Sequence, residues 1–432
     1  MLRVIVLRQA VALAIMMGAL ASAPGPTAAQ TPVVAGSDAG PRFRADGPDA
    51  DVYGRKEGYP SCTALAYIRE PRCRVGAFSA FDNLFPSRTI AASKAAAPLG
   101  RAASEPGIRY RYAGQSRTLD QYLDTYPVTG FLIAKGDSIL VERYQYGRTD
   151  KQRLTSFSMA KTIVGLLIGI AVKEGAIRSV DDLAEVYVPG LKDTEYGRTP
   201  IKALLQMSSG VSFREDYVDF DSDVYKLANL TLGQDPGGSL SAVKRFNTRY
   251  AQPGQRFSYS SAESLVLGLV LAGATRRTVS DYASEKLWVP LGAEANASWV
   301  IDATGQEITF AYVNAVLRDW ARLGLMLAHD GTWQGKRIVP REWLLASTSI
   351  GPDSAFWSTS IEPGSHAPGY GYQIWLLPAK RRMFALRGLR GQFVLVDPET
   401  KLVLVQTSLS GGTDLAAHEL FALWTSLSSQ LP

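Results

Sequence analysis

Apolar residues run almost without a break from Met159 to Ile170, with Lys161 and Thr162 as the polar exceptions. A run of that length, apolar on every face, predicts a buried helix that starts at Ser158 and ends near Gly175. Shorter runs flank it on both sides. Residues 128–146 read as two strands around the turn Lys135-Gly136-Asp137-Ser138, and residues 369–375, 383–386, 392–397 and 402–408 read as four more, with a turn at Asp397-Pro398-Glu399-Thr400. Residues 318–329 carry apolar positions at helical spacing, and residues 416–428 form a closing helix. Residues 180–300 read as mostly helical, broken at Pro189-Gly190, Pro236-Gly237-Gly238 and Pro253-Gly254. Strands at both ends with helices between them imply an α/β (α+β) body: a sheet built from both termini, with a helical insertion at roughly 180–300.

The ends of the chain read differently. Arg3 and Arg8 precede an apolar stretch over residues 10–23, and Thr27-Ala28-Ala29 offers small residues for cleavage. This is the pattern of an export signal over residues 1–29, and the stretch is short for a stable membrane span. A secreted or periplasmic location follows as an expectation. Residues 30–60, rich in Gly, Pro, Ala and Asp, read as a flexible leader. Residues 76–107 read as an extended arm, so that 30–107 precede a larger body over 108–432. The two cysteines, Cys62 and Cys73, are a disulfide in an oxidising compartment or two free thiols otherwise.

Composition narrows the function. Of the 432 residues 46% are hydrophobic and 20% charged, which suits a globular core. The formal charge of +6 is scattered, and no basic run interleaved with aromatics argues for nucleic acid. The three histidines, His329, His366 and His418, fall at a helix end, in a loop and in the last helix, and no Gly-x-Ser-x-Gly elbow is present. Ser-His-Asp chemistry is therefore disfavoured. Ser158-Met159-Ala160-Lys161 offers another route. Its serine sits at the positive end of a helix, and its lysine follows one turn later on the same face. Such a lysine acts as a base only when neutral at neutral pH, a downward shift of about 3 pKa units worth roughly 4 kcal/mol. Ser241-Ala242-Val243-Lys244 repeats the spacing in a short polar helix, where Ser241 reads as a cap and Lys244 as solvated. Asp219-Phe220-Asp221-Ser222-Asp223 has calcium-loop spacing but lacks the glycine and glutamate such a loop needs. Tyr370, Tyr372 and Trp375 alternate as on one strand, half core and half pocket wall.

Further motifs follow in order. Phe257-Ser258-Tyr259-Ser260-Ser261 resembles the Tyr-x-Asn motif of the serine β-lactamase and penicillin-binding superfamily. Leu204-Leu205-Gln206-Met207-Ser208-Ser209-Gly210 resembles its Leu-Leu-x-His-x-Ser-Gly segment, and Gly388-Leu389-Arg390-Gly391-Gln392 stands where that superfamily has Lys-Thr-Gly. Within it, Tyr-x-Ser, Gly-x-x-Gly-Gln and Glu215-Asp216-Tyr217 are most similar to 6-aminohexanoate-dimer hydrolases and class C-like esterases. The resemblance covers roughly residues 76–430. It implies an antiparallel sheet flanked by helices beside a mostly helical subdomain. Ser158 would be the nucleophile, Lys161 its base and Tyr259 the proton shuttle. The backbone N–H groups of Ser158 and Leu389 would form the oxyanion hole, and Tyr217 would hold the substrate from a loop. No metal or cofactor is implied. The partner is a small ester or linear amide, and a homodimer is left open. Arg390 stands where close relatives often have histidine. It either holds a substrate carboxylate or sits on the strand as a solvated charge. The absent Lys-Thr-Gly and the serine at 261 weigh against two alternatives, a D-Ala-D-Ala peptidase and a β-lactamase. The intact Ser158, Lys161 and Tyr259 weigh against a third, a non-catalytic penicillin-binding-like sensor.

Overall fold

The computed structural model describes residues 43–63, 65–350, 356–357, 369–410 and 415–431. The signal segment and His366 lie outside them. Among the described residues, nine strands form a central sheet: β1 (Gly100–Arg101), β2 (Val128–Lys135), β3 (Ser138–Tyr144), β4 (Phe356–Trp357), β5 (Gly369–Tyr370), β6 (Trp375–Leu376), β7 (Phe384–Gly388), β8 (Gln392–Asp397) and β9 (Leu402–Ser408). Their order is β4-β5-β6-β7-β8-β9-β2-β3-β1. Neighbours are antiparallel except for β1 and β3, which run parallel. The N-terminal and C-terminal strands therefore meet at the β9–β2 seam, where Leu402 faces Lys135 and Gln406 faces Phe131.

Both faces of the sheet are buried, so its strands read as continuous apolar runs. Leu132, Val394, Val396, Val403 and Val405 point to one core. That core is shared with helices α1 (Met159–Lys173), α2 (Ser261–Thr275) and α3 (Leu317–Ala328). Phe131, Ile133, Leu395, Leu402 and Leu404 point to a second core. It is closed by the helix Leu119–Thr125 and by α4 (Leu415–Gln430), through Tyr122, Leu420 and Trp424. Thr118 and Gln121 start the first of these as a reciprocal capping box. Helix α1 is buried from Met159 to Ala171. Gly169 admits the Trp343 indole, for a Cβ there would lie 2.4 Å from the ring.

Several elements differ from the sequence expectation. Residues 43–60 are not a leader on the surface but a chain of turns: Ala50 and Tyr53 are buried, and the Tyr146 hydroxyl donates to the Pro48 carbonyl at 2.7 Å. Gly, Pro and Asp serve there as turn residues. In the arm, the extended segment Ser87–Ile90 pairs with Ala297–Val300 of the body, as an arm packed on it would. Cys62 and Cys73 are joined as a disulfide. The insertion mixes short helices with long irregular segments over 206–222 and 245–260. Ser241 is no cap: the helix Gly238–Lys244 starts three residues earlier, where the Asp302 carboxylate accepts from the Ser239 N–H at 2.6 Å. Lys244 is exposed. Tyr370 and Trp375 lie opposite each other on two strands of a tight hairpin rather than along one, because Gly371 to Ile374 turn between them. Asp219 and Asp223 are engaged by Arg214, through its guanidinium and its backbone N–H respectively.

Candidate active site

Ser158 sits at the N-cap of α1 on a constrained turn. Phe157 before it has φ +42°, costly for a side-chain-bearing residue, and is held in an aromatic box. Phe78 lies 4.9 Å from its ring, and Tyr312, Phe81 and Tyr67 lie within 6.3 Å. Three of these, Tyr67, Phe78 and Phe81, come from the N-terminal segment before residue 108. The strain is thus carried by packing, and the serine hydroxyl is presented at the helix start.

Lys161 is 1% exposed. Its Nζ lies 3.1 Å from Ser158 Oγ, 3.1 Å from Ser261 Oγ and 2.8 Å from the Phe310 carbonyl oxygen. Burial lowers its pKa from 10.5 to about 8, against the opposing pull of the Glu215 carboxylate. Glu215 does not touch the amine directly. It accepts from the Ser261 N–H at 2.8 Å, from the Ser261 hydroxyl at 2.6 Å and from the Tyr217 hydroxyl. The phenols of Tyr217 and Tyr259 face the Ser158 hydroxyl, which favours their charged forms slightly. Both phenols are held above their ordinary pKa, first by burial and then by the Glu215 charge. Tyr259 stacks on Trp375 at 5.2 Å and meets Tyr370 edge-on at 5.9 Å. Tyr372, by contrast, turns away to pack on Trp343 at 4.9 Å.

The third wall is the turn after β7. Gly388 presses against the Ser156 carbonyl, which a Cβ would meet at 2.2 Å. A side chain there would push the hairpin off the serine. Gln392 reaches the Leu389, Arg390 and Ser408 carbonyls from one amide and fixes the turn. Among the described residues neither the Ser158 nor the Leu389 backbone N–H donates to the protein, and both residues line one pocket with Tyr217, Tyr225, Tyr312 and Arg390. Arg390 is only half-buried on this turn, and its Nη atoms donate to the Ser410 and Ile68 carbonyls at 3.2 and 3.3 Å.

Ser158, Lys161, Tyr259, Tyr217, Leu389 and Arg390 are therefore brought together. Sequence reasoning quoted Glu215 and Ser261 without giving either a part, and missed the Phe310 carbonyl and the N-terminal residues Leu65, Tyr67 and Ile68 that complete the pocket. The Glu-Asp-Tyr spacing was the available signal for Glu215. His329 caps α3, with Nδ1 2.8 Å from the Leu325 carbonyl.

Behind the site Glu263 is 1% exposed and bonds the Ser209 hydroxyl at 2.6 Å. Burial pushes its carboxyl from 4.5 up to about 8. The folded state thus holds the proton more tightly. That stability is whole below pH 4.5 and is lost as pH rises to about 8. Glu263→Gln, which stays neutral, should raise Tm by roughly 3–6 °C at pH 9 and change it little at pH 5. Equal shifts at both pH values in thermal melts would refute the buried titration.

The Beta-lactamase family profile matches residues 116–422. The chain is similar to 6-aminohexanoate-dimer hydrolase of Paenarthrobacter ureafaciens, at 27% identity over 337 residues, 77% of this chain and 84% of that one. A candidate 6-aminohexanoate-dimer hydrolase from Bacillus anthracis shares the fold with a TM-score of 0.77 at 22% identity, covering 86% of this chain and 99% of the other. A family VIII carboxylesterase superposes with a TM-score of 0.54 at 17% identity, over 69% and 92% of the two chains. Among the described residues no helix is long and apolar enough to cross a membrane. The family profile spans well over half of the sequence and takes in the serine, the lysine, the tyrosine and the β7 turn, so the chain belongs to the β-lactamase family of hydrolases.

Proposed function

We propose that this hydrolase cleaves small esters or linear amides through an acyl-enzyme on Ser158. The observation that carries the reading is the hydrogen-bond accounting at Lys161. The Phe310 carbonyl can only accept, and Ser261 spends its proton on Glu215, so both must accept from Nζ. A neutral amine has two N–H groups and one lone pair. The lone pair is left for the third partner, the Ser158 hydroxyl at 3.1 Å.

Lys161 then takes the Ser158 proton as Oγ bonds to the substrate carbonyl carbon. The oxyanion is met by the Ser158 and Leu389 N–H groups, each worth about 2.7–4 kcal/mol when such donors are removed elsewhere. Tyr259, kept protonated by burial, gives its proton to the departing alkoxide or amine and regains one from Lys161. Water attacks the acyl-enzyme by the reverse relay and frees Ser158. Tyr217 steadies the substrate from the Glu215 loop. Export is part of the proposal, and the Cys62–Cys73 disulfide supports an oxidising destination.

Similarity to a 6-aminohexanoate-dimer hydrolase and a carboxylesterase supports esters and amides over β-lactams, as does the Gly388-Leu389-Arg390-Gly391-Gln392 sequence where penicillin-recognising enzymes have Lys-Thr-Gly. Labelling separates the readings. A fluorophosphonate probe should label the protein on Ser158 while a fluorescent penicillin does not. Labelling by both would indicate a penicillin-recognising enzyme, and labelling by neither would leave a binding protein.

A further inference from the structure

Strand β7 ends against the Ser156 carbonyl, and Arg387 is the residue before that contact. Side chains alternate between the two faces of a strand. Leu386 belongs to the core that holds α1 and Ala385 to the second core, so Arg387 leaves the sheet on the second side, toward α4. Among the described residues, the lining of the Ser158 pocket does not include it. Its guanidinium carbon lies 5.2 Å from the Trp375 ring, 5.7 Å from Phe393 and 5.9 Å from Phe421. Phe393 is its register partner on β8, and Phe421 comes from α4. An apolar side chain would pack this half-buried place as well, so a permanent cation there calls for a use.

The use lies on the other side of the indole. Trp375 stacks on Tyr259 at 5.2 Å with 30° between the planes, and Tyr370 meets both rings edge-on, at 4.8 Å and 5.9 Å. The contacts therefore run from Arg387 through Trp375 to the phenol assigned as the proton shuttle. Charges of both signs bear on that phenol. The Glu215 carboxylate disfavours its ionised form and Arg387 favours it, while Lys161 Nζ lies 5.1 Å over its ring. Lys161 gains and loses its charge within each turnover, whereas a guanidinium keeps its own throughout.

The departure of the leaving group is the step that draws on this arrangement. The acyl C–O or C–N bond breaks, its electron pair goes to the leaving oxygen or nitrogen, and the Tyr259 O–H proton moves to that atom. The phenol oxygen carries negative charge until Lys161 returns a proton. In a site withdrawn from water, a cation one ring away lowers the energy of that state. We propose that Arg387 is a positioning residue for this proton transfer, acting through Trp375: it pins the indole on which Tyr259 stacks and stabilises the charge that grows on the phenol oxygen. The proposal rests on the reading of Tyr259 as the shuttle. Arg387 then matters in proportion to the help the leaving group needs. A p-nitrophenolate departs without a proton, and an alkoxide does not.

Two esters with one acyl group, p-nitrophenyl hexanoate and ethyl hexanoate, test it on the full chain. Their acyl-enzymes are identical, so kcat/KM compares acylation alone. Arg387→Met, which keeps an apolar stem against the rings, should lower kcat/KM for the ethyl ester at least about tenfold and leave the p-nitrophenyl ester within about twofold. Arg387→Lys should restore most of the ethyl-ester rate, and Tyr259→Phe should show the same selectivity with a larger loss. Equal losses on both esters in Arg387→Met, or no loss on either, overturn the proposal, because a residue that only packs α4 on the sheet moves both substrates together. Should Arg387→Met not fold, Arg387→Lys and Trp375→Phe decide it. Both should spare the p-nitrophenyl ester, with the greater ethyl-ester loss in Trp375→Phe, and equal losses on the two esters overturn it. If Tyr259→Phe spares the ethyl ester, the shuttle reading fails and takes this proposal with it. If Tyr259→Phe is selective and Arg387→Met is not, the shuttle stands and Arg387 has no part in it.

Discussion

Ser158→Ala should lower the turnover of a p-nitrophenyl ester by at least about 10⁴-fold while the protein melts as the wild type does. The size follows from covalent catalysis. Without Oγ no acyl-enzyme forms, and what persists is the modest acceleration from binding and oxyanion stabilisation alone. The structural cost is small, since Ser158 is an N-cap whose side chain makes no capping bond to the helix. Loss of activity and retention of Tm therefore go together. Rates from stopped assays, with mass spectrometry of the intact protein after a slow ester, check both halves. A mass increase of one acyl group should be seen on the wild type only. Activity within tenfold of wild type, or an acyl adduct on Ser158→Ala, would remove Ser158 from the centre of the reaction.

The second large effect is on pH dependence. Below pH 8 the kcat/KM of the wild type should rise about tenfold per pH unit and then level off, because the reactive form carries a neutral Lys161 whose pKa is about 8. The sign is set by the base: protons inactivate it, so activity grows as they leave. Lys161→Met keeps the length and apolarity of the stem and removes the amine. It should cost at least about 10³-fold and abolish the inflection near 8. Glu215→Gln tests the environment of the amine. Glu215 opposes the burial of Lys161, so its loss should shift the inflection to lower pH. A wild-type profile flat between pH 6 and 9, or an inflection that survives Lys161→Met, would assign the base elsewhere.

What could be read from the chain alone was whatever a short stretch determines. The buried helix α1 declared itself by composition, and Ser158 and Lys161 are one turn apart on it. Tyr259 and Gly388-Leu389 stood out because their neighbours repeat a family pattern. Contacts across the fold were not legible in the same way. Nothing local to Glu215 says that Ser261, 46 residues on, will hand it a proton, or that the Phe310 carbonyl will hold Lys161. Composition misled at residues 43–60, where turn residues are also what a packed, irregular segment needs. Spacing misled at Ser241, where the helix is capped by Asp302 from 63 positions away. Arg390 was legible as a choice between two roles. The structure adds what the chain alone does not show: Arg390 lines the pocket and donates to the Ser410 and Ile68 carbonyls.

The cystine between residues 62 and 73 has a consequence for when the enzyme becomes competent. The segment it ties supplies Tyr67 to the box around Phe157 and Ile68 to the pocket. Closing a loop of that size removes chain entropy worth about 3 kcal/mol from the alternatives to this docking. A copy held among cytosolic reductants would have its nucleophile in place but one side of its cleft free to drift. Latency under reducing conditions, and full activity under oxidising ones, would then be built into the order in which the molecule matures.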